Sequence, residues 1–195
     1  MSDKDEFWGW FVQHEDELFT FEGEAEQLFD ELATALQRVH PDLTFEFGPR
    51  SEKREFIVSA GGLKDVFPVV ASLVGAAPKL PRWNITAFRP RRPLPVSVEF
   101  RGVSVNSKEV QFSLLDNGKV VGVRLFIPGF REDNMSWKQI GYLLLDETLG
   151  EYDVESSLGL IKMYSPEVHT QEKRYSLSQL PDAFDALVDR LAGKK

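Results

Sequence analysis

Residues 43–88, LTFEFGPRSEKREFIVSAGGLKDVFPVVASLVGAAPKLPRWNITAF, read in order as strand, strand, helix and strand. Leu43, Phe45 and Phe47 alternate with Thr44 and Glu46, which predicts a strand with one buried face. After the turn residues Gly48-Pro49-Arg50-Ser51, the run from Arg54 to Ala60 alternates again through Phe56 and Val58, so the two strands should form a hairpin. Gly61-Gly62 ends the second strand. Leu63, Val66, Phe67, Val70, Leu73 and Val74 then recur at helical spacing, and Pro68 is tolerated only in a first turn, which starts that helix near Asp65. Beyond Pro78 and Pro81, Trp83, Ile85 and Ala87 place one apolar face on a third strand.

The same order returns downstream. Val96, Val98 and Phe100 alternate as a strand, and two more, Val110 to Leu115 and Val120 to Ile127, are joined by the tight-turn residues Asp116-Asn117-Gly118. Ser136 and Gln139 have capping-box spacing before Trp137, Ile140, Leu143, Leu144 and Leu145, and Gly150 suits the end of that helix. Leu158 to Tyr164 reads as a strand. The stretches 42–88 and 109–164 thus share the order strand, strand, helix, strand, which suggests duplication of a β-β-α-β unit without residue-level similarity.

Helices flank these stretches. Phe7, Trp10, Phe11, His14 and Leu18 fall near one face of a short aromatic helix spanning Phe7 to Phe21, although Gly9 weakens it. Ala25, Leu28, Phe29, Leu32, Leu36 and Val39 line a stronger one, with Glu22, Glu24 and Glu26 complementing its dipole and Pro41 closing it. Leu180, Phe184, Leu187 and Leu191 mark a C-terminal amphipathic helix with Ser178 as N-cap and Pro181 in its first turn. The expectation is one α+β domain over 1–195, a largely antiparallel sheet with helices on one face, and structural halves at 22–100 and 109–195.

The chain has 195 residues, 42% of them hydrophobic, with 15 Phe, 4 Trp and no Cys. That content supports a sizeable core, while the lack of Cys excludes disulfides, thiolate nucleophiles, zinc-thiolate sites and thiol switches. Residues 1–31 hold eleven acids and one base, a net of -10, so the rest of the chain, with 20 acids and 22 bases, carries +2 and the acidity belongs to the N-terminal segment. Bulk acidity argues against nucleic acid, which needs a clustered positive surface. The N-terminus lacks the basic and apolar regions of a secretory signal, and the longest mainly apolar run, Val66 to Pro78, is too short for a membrane helix, so a cytoplasmic location is expected.

No recognisable catalytic or cofactor constellation emerges. His14, His40 and His169 stand in no metal-ligand spacing, and His14 reads as a core-edge residue. Asp146, Glu147, Glu151, Asp153 and Glu155 form an acidic run, but Ser156 and Lys162 break a calcium-loop pattern, so it reads as a solvated loop at a helix end. Gly61-Gly62 lacks a phosphate-loop motif and reads as a tight turn, and no GxSxG elbow is present. Neither metal nor cofactor is expected.

Lys79 to Arg101 contains six bases and one acid. Its prolines would present Arg89, Arg91 and Arg92 at little entropic cost, which suits an anionic ligand, a carboxylate or phosphate. The competing reading pairs these arginines with Glu22, Glu24, Glu26 or the 146–155 acids. Aromatic and arginine residues in 83–101 also raise single-stranded RNA contact, which the overall charge disfavours.

FWGWF near the start, LTFEFGP, REFIVSAGG, FPVV and WNITAFRPRR resemble a bacterial family of domains of unknown function. The resemblance covers about the first half of the chain and implies a bacterial, cytoplasmic setting with no catalytic residues to carry over. The leading expectation is a non-enzymatic binding or regulatory protein. Its acidic, aromatic N-terminal segment would meet a basic protein surface through Glu15, Asp16 and Glu17, anchored by Trp8 or Trp10, whichever the core leaves exposed. The alternative is an anion-binding protein or enzyme using Arg89, Arg91 and Arg92.

Overall fold

The computed structural model describes residues 2–23, 25–116, 118–169 and 171–193; Glu24 and Asn117, expected in a helix start and a hairpin turn, lie outside them. The fold is α+β, and the chain forms two compact units, Met1–Arg89 and Pro90–Lys195.

In the first unit, α1 (Asp3–Gln13), α2 (Glu15–Thr20) and α3 (Glu26–Val39) precede β1 (Thr44–Phe47), β2 (Arg54–Ser59), α4 (Phe67–Gly75) and β3 (Trp83–Ala87). Ser2 and Asp5 form a reciprocal capping box that starts α1. The single aromatic helix expected over Phe7 to Phe21 is two helices, because the chain leaves helical geometry at His14. That break lets both Phe11 and Phe19 turn inward. Ala25 precedes α3 without a side-chain cap, so Glu26 is the acid in its first turn, while Glu22 pairs with Arg50. Pro68 occupies the first turn of α4, after a short 3-10 turn at Lys64–Val66, as its missing N–H requires.

β1 and β2 are antiparallel with Phe45 opposite Val58, and β3 lies parallel to β2 on its other side, reached through α4. Phe56 and Val58 meet Phe7, Trp8, Phe11, Leu32, Leu36 and Leu73 in one core. The rings are interlocked: Phe11 lies 4.8 Å from Phe56 and 5.1 Å from Trp83, centroid to centroid. Such edge and offset contacts add about 0.5–1.5 kcal/mol per pair beyond area burial.

The second unit contains β4 (Ser97–Phe100), β5 (Val103–Asn106), β6 (Gln111–Asp116), β7 (Val121–Phe126), α5 (Met135–Leu149), α6 (Glu151–Ser157), β8 (Leu158–Tyr164), β9 (Tyr175–Ser176) and α7 (Leu180–Ala192). Beyond the expected strands, β5 completes a two-stranded ribbon with β4, closed by Arg101 and Gly102 at φ 49° and 77°. Both positive values match the turn type that suits a two-residue hairpin loop. Asn134, not Ser136, caps α5, accepting the Ser136 N–H at 2.8 Å. Ser178 lies in a 3-10 turn at Leu177–Gln179 that leads into α7, and Pro181 sits in the first turn of that helix.

The four-stranded sheet has the order β8-β7-β6-β9. β6 and β7 are antiparallel, and β8 runs parallel to β7 after the crossover through α5. Phe112, Val123 and Leu125 pack against Ile140, Leu144 and Phe184 from α5 and α7. Both units therefore contain a β-β-α-β segment in which the second strand is central, the first antiparallel to it and the third parallel.

Candidate functional site

The acidic N-terminal segment divides its two tryptophans between core and surface. Trp8 is buried, at 5% exposure, and its indole N–H donates to the Leu73 carbonyl at 2.9 Å. Trp10 is half-buried and stacks on His14 with centroids 4.2 Å apart. His14 Nδ1 lies 2.8 Å from the Trp10 carbonyl oxygen, so the ring sits at the core edge, as expected, and fixes the indole from one side. The polar face of α3 passes beside Trp10. A groove of about 500 Å³ results, lined by Trp10 with Glu26, Asp30, Glu31, Thr34 and Arg38 among others. Glu26, Asp30 and Glu31 are exposed and outnumber Arg38 there.

Of the acids singled out in the sequence, Glu15 and Asp16 are engaged within the first unit. Arg82 Nε and Nη2 donate to Glu15 Oε1 at 3.1 and 3.0 Å, and Nη2 also donates to Asp16 Oδ1 at 2.6 Å. The Trp83 indole N–H donates to the same Glu15 oxygen at 3.2 Å, and the Arg82 guanidinium lies over the Phe19 ring. The hydrogen bonds to Asp16 and then Glu15 hold Arg82 above its ordinary pKa. Glu15 therefore ties α2 to the start of β3, whereas Glu17 is exposed.

The basic connector is also tied down. Arg89 pairs with Glu46 of β1. Arg91 grips Asp185 with two parallel bonds of 2.8 Å, donates to Asp153 Oδ2 at 2.7 Å, and sends Nε to the Leu149 carbonyl at 2.9 Å. The bonds to Asp185 outweigh desolvation and raise the Arg91 pKa, and Arg91 in turn lowers that of Asp185. The Arg92 backbone N–H donates to the Glu147 carbonyl at 2.7 Å. Asp153 belongs to the acidic run named as an internal partner; Glu46 and Asp185 do not. Carboxylates of their own units thus already face the guanidiniums of Arg89 and Arg91.

The run Asp146–Glu155 is not the solvated loop expected. It spans the end of α5 and the first turns of α6, where Glu151 and Asp153 complement the helix dipole, and Glu151 is fully buried. Gly61 and Gly62 both have positive φ, in keeping with the tight turn. Among the described residues, no group of three or more His, Asp or Glu side chains is placed to hold a metal ion, and no helix is long and apolar enough to cross a membrane.

One residue of structural weight carries no signal in the sequence: Arg54, 5% exposed, at the start of β2. Its Nη1 donates to the carbonyls of Leu18, Phe19 and Phe21, and its Nε to that of Gly48. Burial and the neighbouring Arg50 lower its pKa. Comparison with known proteins finds no matching family model, no matching curated protein and no matching solved structure.

Proposed function

We propose that this chain is a binding protein whose first unit takes a basic segment of a partner protein into the groove between α1 and α3. The observation that carries this reading is the half-buried Trp10 beside Glu26, Asp30 and Glu31. An indole face flanked by carboxylates suits a lysine or arginine, because the ring quadrupole attracts the cation while the carboxylates pair with it. His14 restrains the indole before any partner arrives, so little rotamer entropy is lost on binding. The surrounding acids of residues 1–31 would steer a basic partner at long range. Compared with the expectation from sequence, the contact surface moves from Glu15 and Asp16, which hold Arg82, to the exposed acids of α3.

A hexa-arginine peptide tests this by calorimetric titration. Binding should weaken steeply with added salt, since screening shortens to a Debye length of about 8 Å at physiological ionic strength. It should be lost in the triple variant Glu26→Lys, Asp30→Lys, Glu31→Lys, whose exposed positions leave the core untouched. Equal affinity of the variant and the parent would refute the assignment.

A further inference from the structure

β8 is the terminal strand of its sheet, seven residues long, and no strand among the described residues pairs with its outer edge. Its inner edge is parallel to β7, and the Ile127 N–H donates to the Tyr164 carbonyl at 2.9 Å. In a parallel ladder, alternate residues turn both backbone polar groups toward the same neighbour. Lys162 and Tyr164 therefore address β7, while the N–H and C=O of Ile161 and Met163 face outward. A long uncovered edge is a template for another strand.

The surroundings select what that strand carries. A cavity of about 400 Å³ borders the edge, lined by Phe130, Glu132, Lys138 and Tyr142 together with β8 itself. Tyr142 is 43% exposed and Leu160 on the strand 42%. Lys138 and Lys162 make no ion pair among the described residues, so the two ammonium groups outweigh the one carboxylate of Glu132.

We propose that the outer edge of β8 receives an extended acidic segment of a partner protein as a fifth strand of the sheet. Ile161 and Met163 each supply one backbone donor and one acceptor; the apolar side chains of the added strand rest against Phe130 and Tyr142 on the face that packs against α5, and its carboxylates, on the opposite face, meet Lys162. A second copy of the chain fits less well. In a two-fold antiparallel pairing centred on Ile161, the Lys162 residues of the copies fall at diagonal positions roughly 7–8 Å apart, where like charges repel. The edge lies in the second unit and the acidic groove in the first, so either assignment can fail alone.

The test titrates a blocked seven-residue peptide of alternating valine and glutamate, matched to the length of β8, into 15N-labelled protein, with a valine–lysine peptide as control. The Ile161 and Met163 amides should shift and gain protection from exchange, while the Lys162 amide, already bonded to β7, gains none. The variant Lys162→Glu should keep its circular dichroism spectrum and bind about tenfold more weakly or worse. Unchanged Ile161 and Met163 amides at millimolar peptide would overturn the proposal, and so would equal binding of the lysine peptide. Protection that rises with protein concentration in the absence of peptide would assign the edge to a second copy and overturn it as well.

Discussion

Arg54 lies against Phe21, its Cζ 3.6 Å from the ring centroid, while its Nη1 donates to the Phe21 carbonyl at 3.3 Å. The same nitrogen reaches the carbonyls of Leu18 and Phe19 at 3.2 and 3.0 Å, so one buried cation satisfies the chain as it leaves α2. Replacing it strands those oxygens away from water. Arg54→Met should destabilise the first unit by about 2–4 kcal/mol, read from chemical denaturation. Arg54→Lys should recover little, because an ammonium lacks the planar fork that bonds several carbonyls while lying on a ring.

The Arg91–Asp185 pair predicts a pH dependence of the second unit. Hydrogen bonding to Arg91 lowers the Asp185 pKa in the folded state. Its contribution is therefore present above the unfolded carboxylate value, about 3.9, and is lost as pH falls through the lower folded value. The Asp185 side chain is 53% exposed, so solvent screening keeps that contribution below about 1 kcal/mol. Asp185→Asn should be slightly less stable than the parent at neutral pH, and the two denaturation curves should converge once the pH has fallen through the lowered folded value. A gap that persists in acid would mean that something other than this charge is responsible.

Trp8 and Trp10 should separate in a stability measurement. Trp8→Phe removes the indole donor to Leu73 and leaves a void in the core, at a cost of about 1–3 kcal/mol. Trp10→Phe changes a half-buried surface ring and should cost less than about 1 kcal/mol. Acrylamide should quench Trp10 fluorescence and spare Trp8, read in single-tryptophan variants.

Ser113 offers a test in the opposite direction. Its hydroxyl is buried, with the residue 2% exposed, and has no hydrogen-bond partner among the described residues. Ser113→Ala removes an uncompensated polar group, so thermal unfolding should show equal or higher stability, by up to about 1 kcal/mol.

The β-β-α-β segments are legible in the sequence because apolar residues switch cleanly from alternate spacing to helical spacing, with glycine and proline at the joints. β5 carries a weaker mark. Arg101-Gly102 is a two-residue turn signal, but Val103 and Val105 are its only apolar followers before the next turn. α6 has one buried apolar residue, Val154, and so no periodicity to read. The fate of the tryptophans is undetermined by the helical wheel, since at 100° per residue Trp8 and Trp10 stand about 80° to either side of the stripe centred on Phe7 and Phe11. Tertiary packing distinguishes them: Trp8 meets Phe56 of β2 and the Leu73 carbonyl of α4. Arg54 is hidden for a related reason: a charged residue opening a strand reads as solvent-facing until α2 is brought over it.

The most direct measurement follows the Trp10 indole N–H resonance in 15N-labelled protein while hexa-arginine is added at low salt. A saturating shift of that resonance is expected together with the backbone amides of Glu26, Asp30 and Glu31, with the buried Trp8 indole unmoved. A peptide that perturbs other surfaces and leaves Trp10 and α3 unchanged would contradict the assignment.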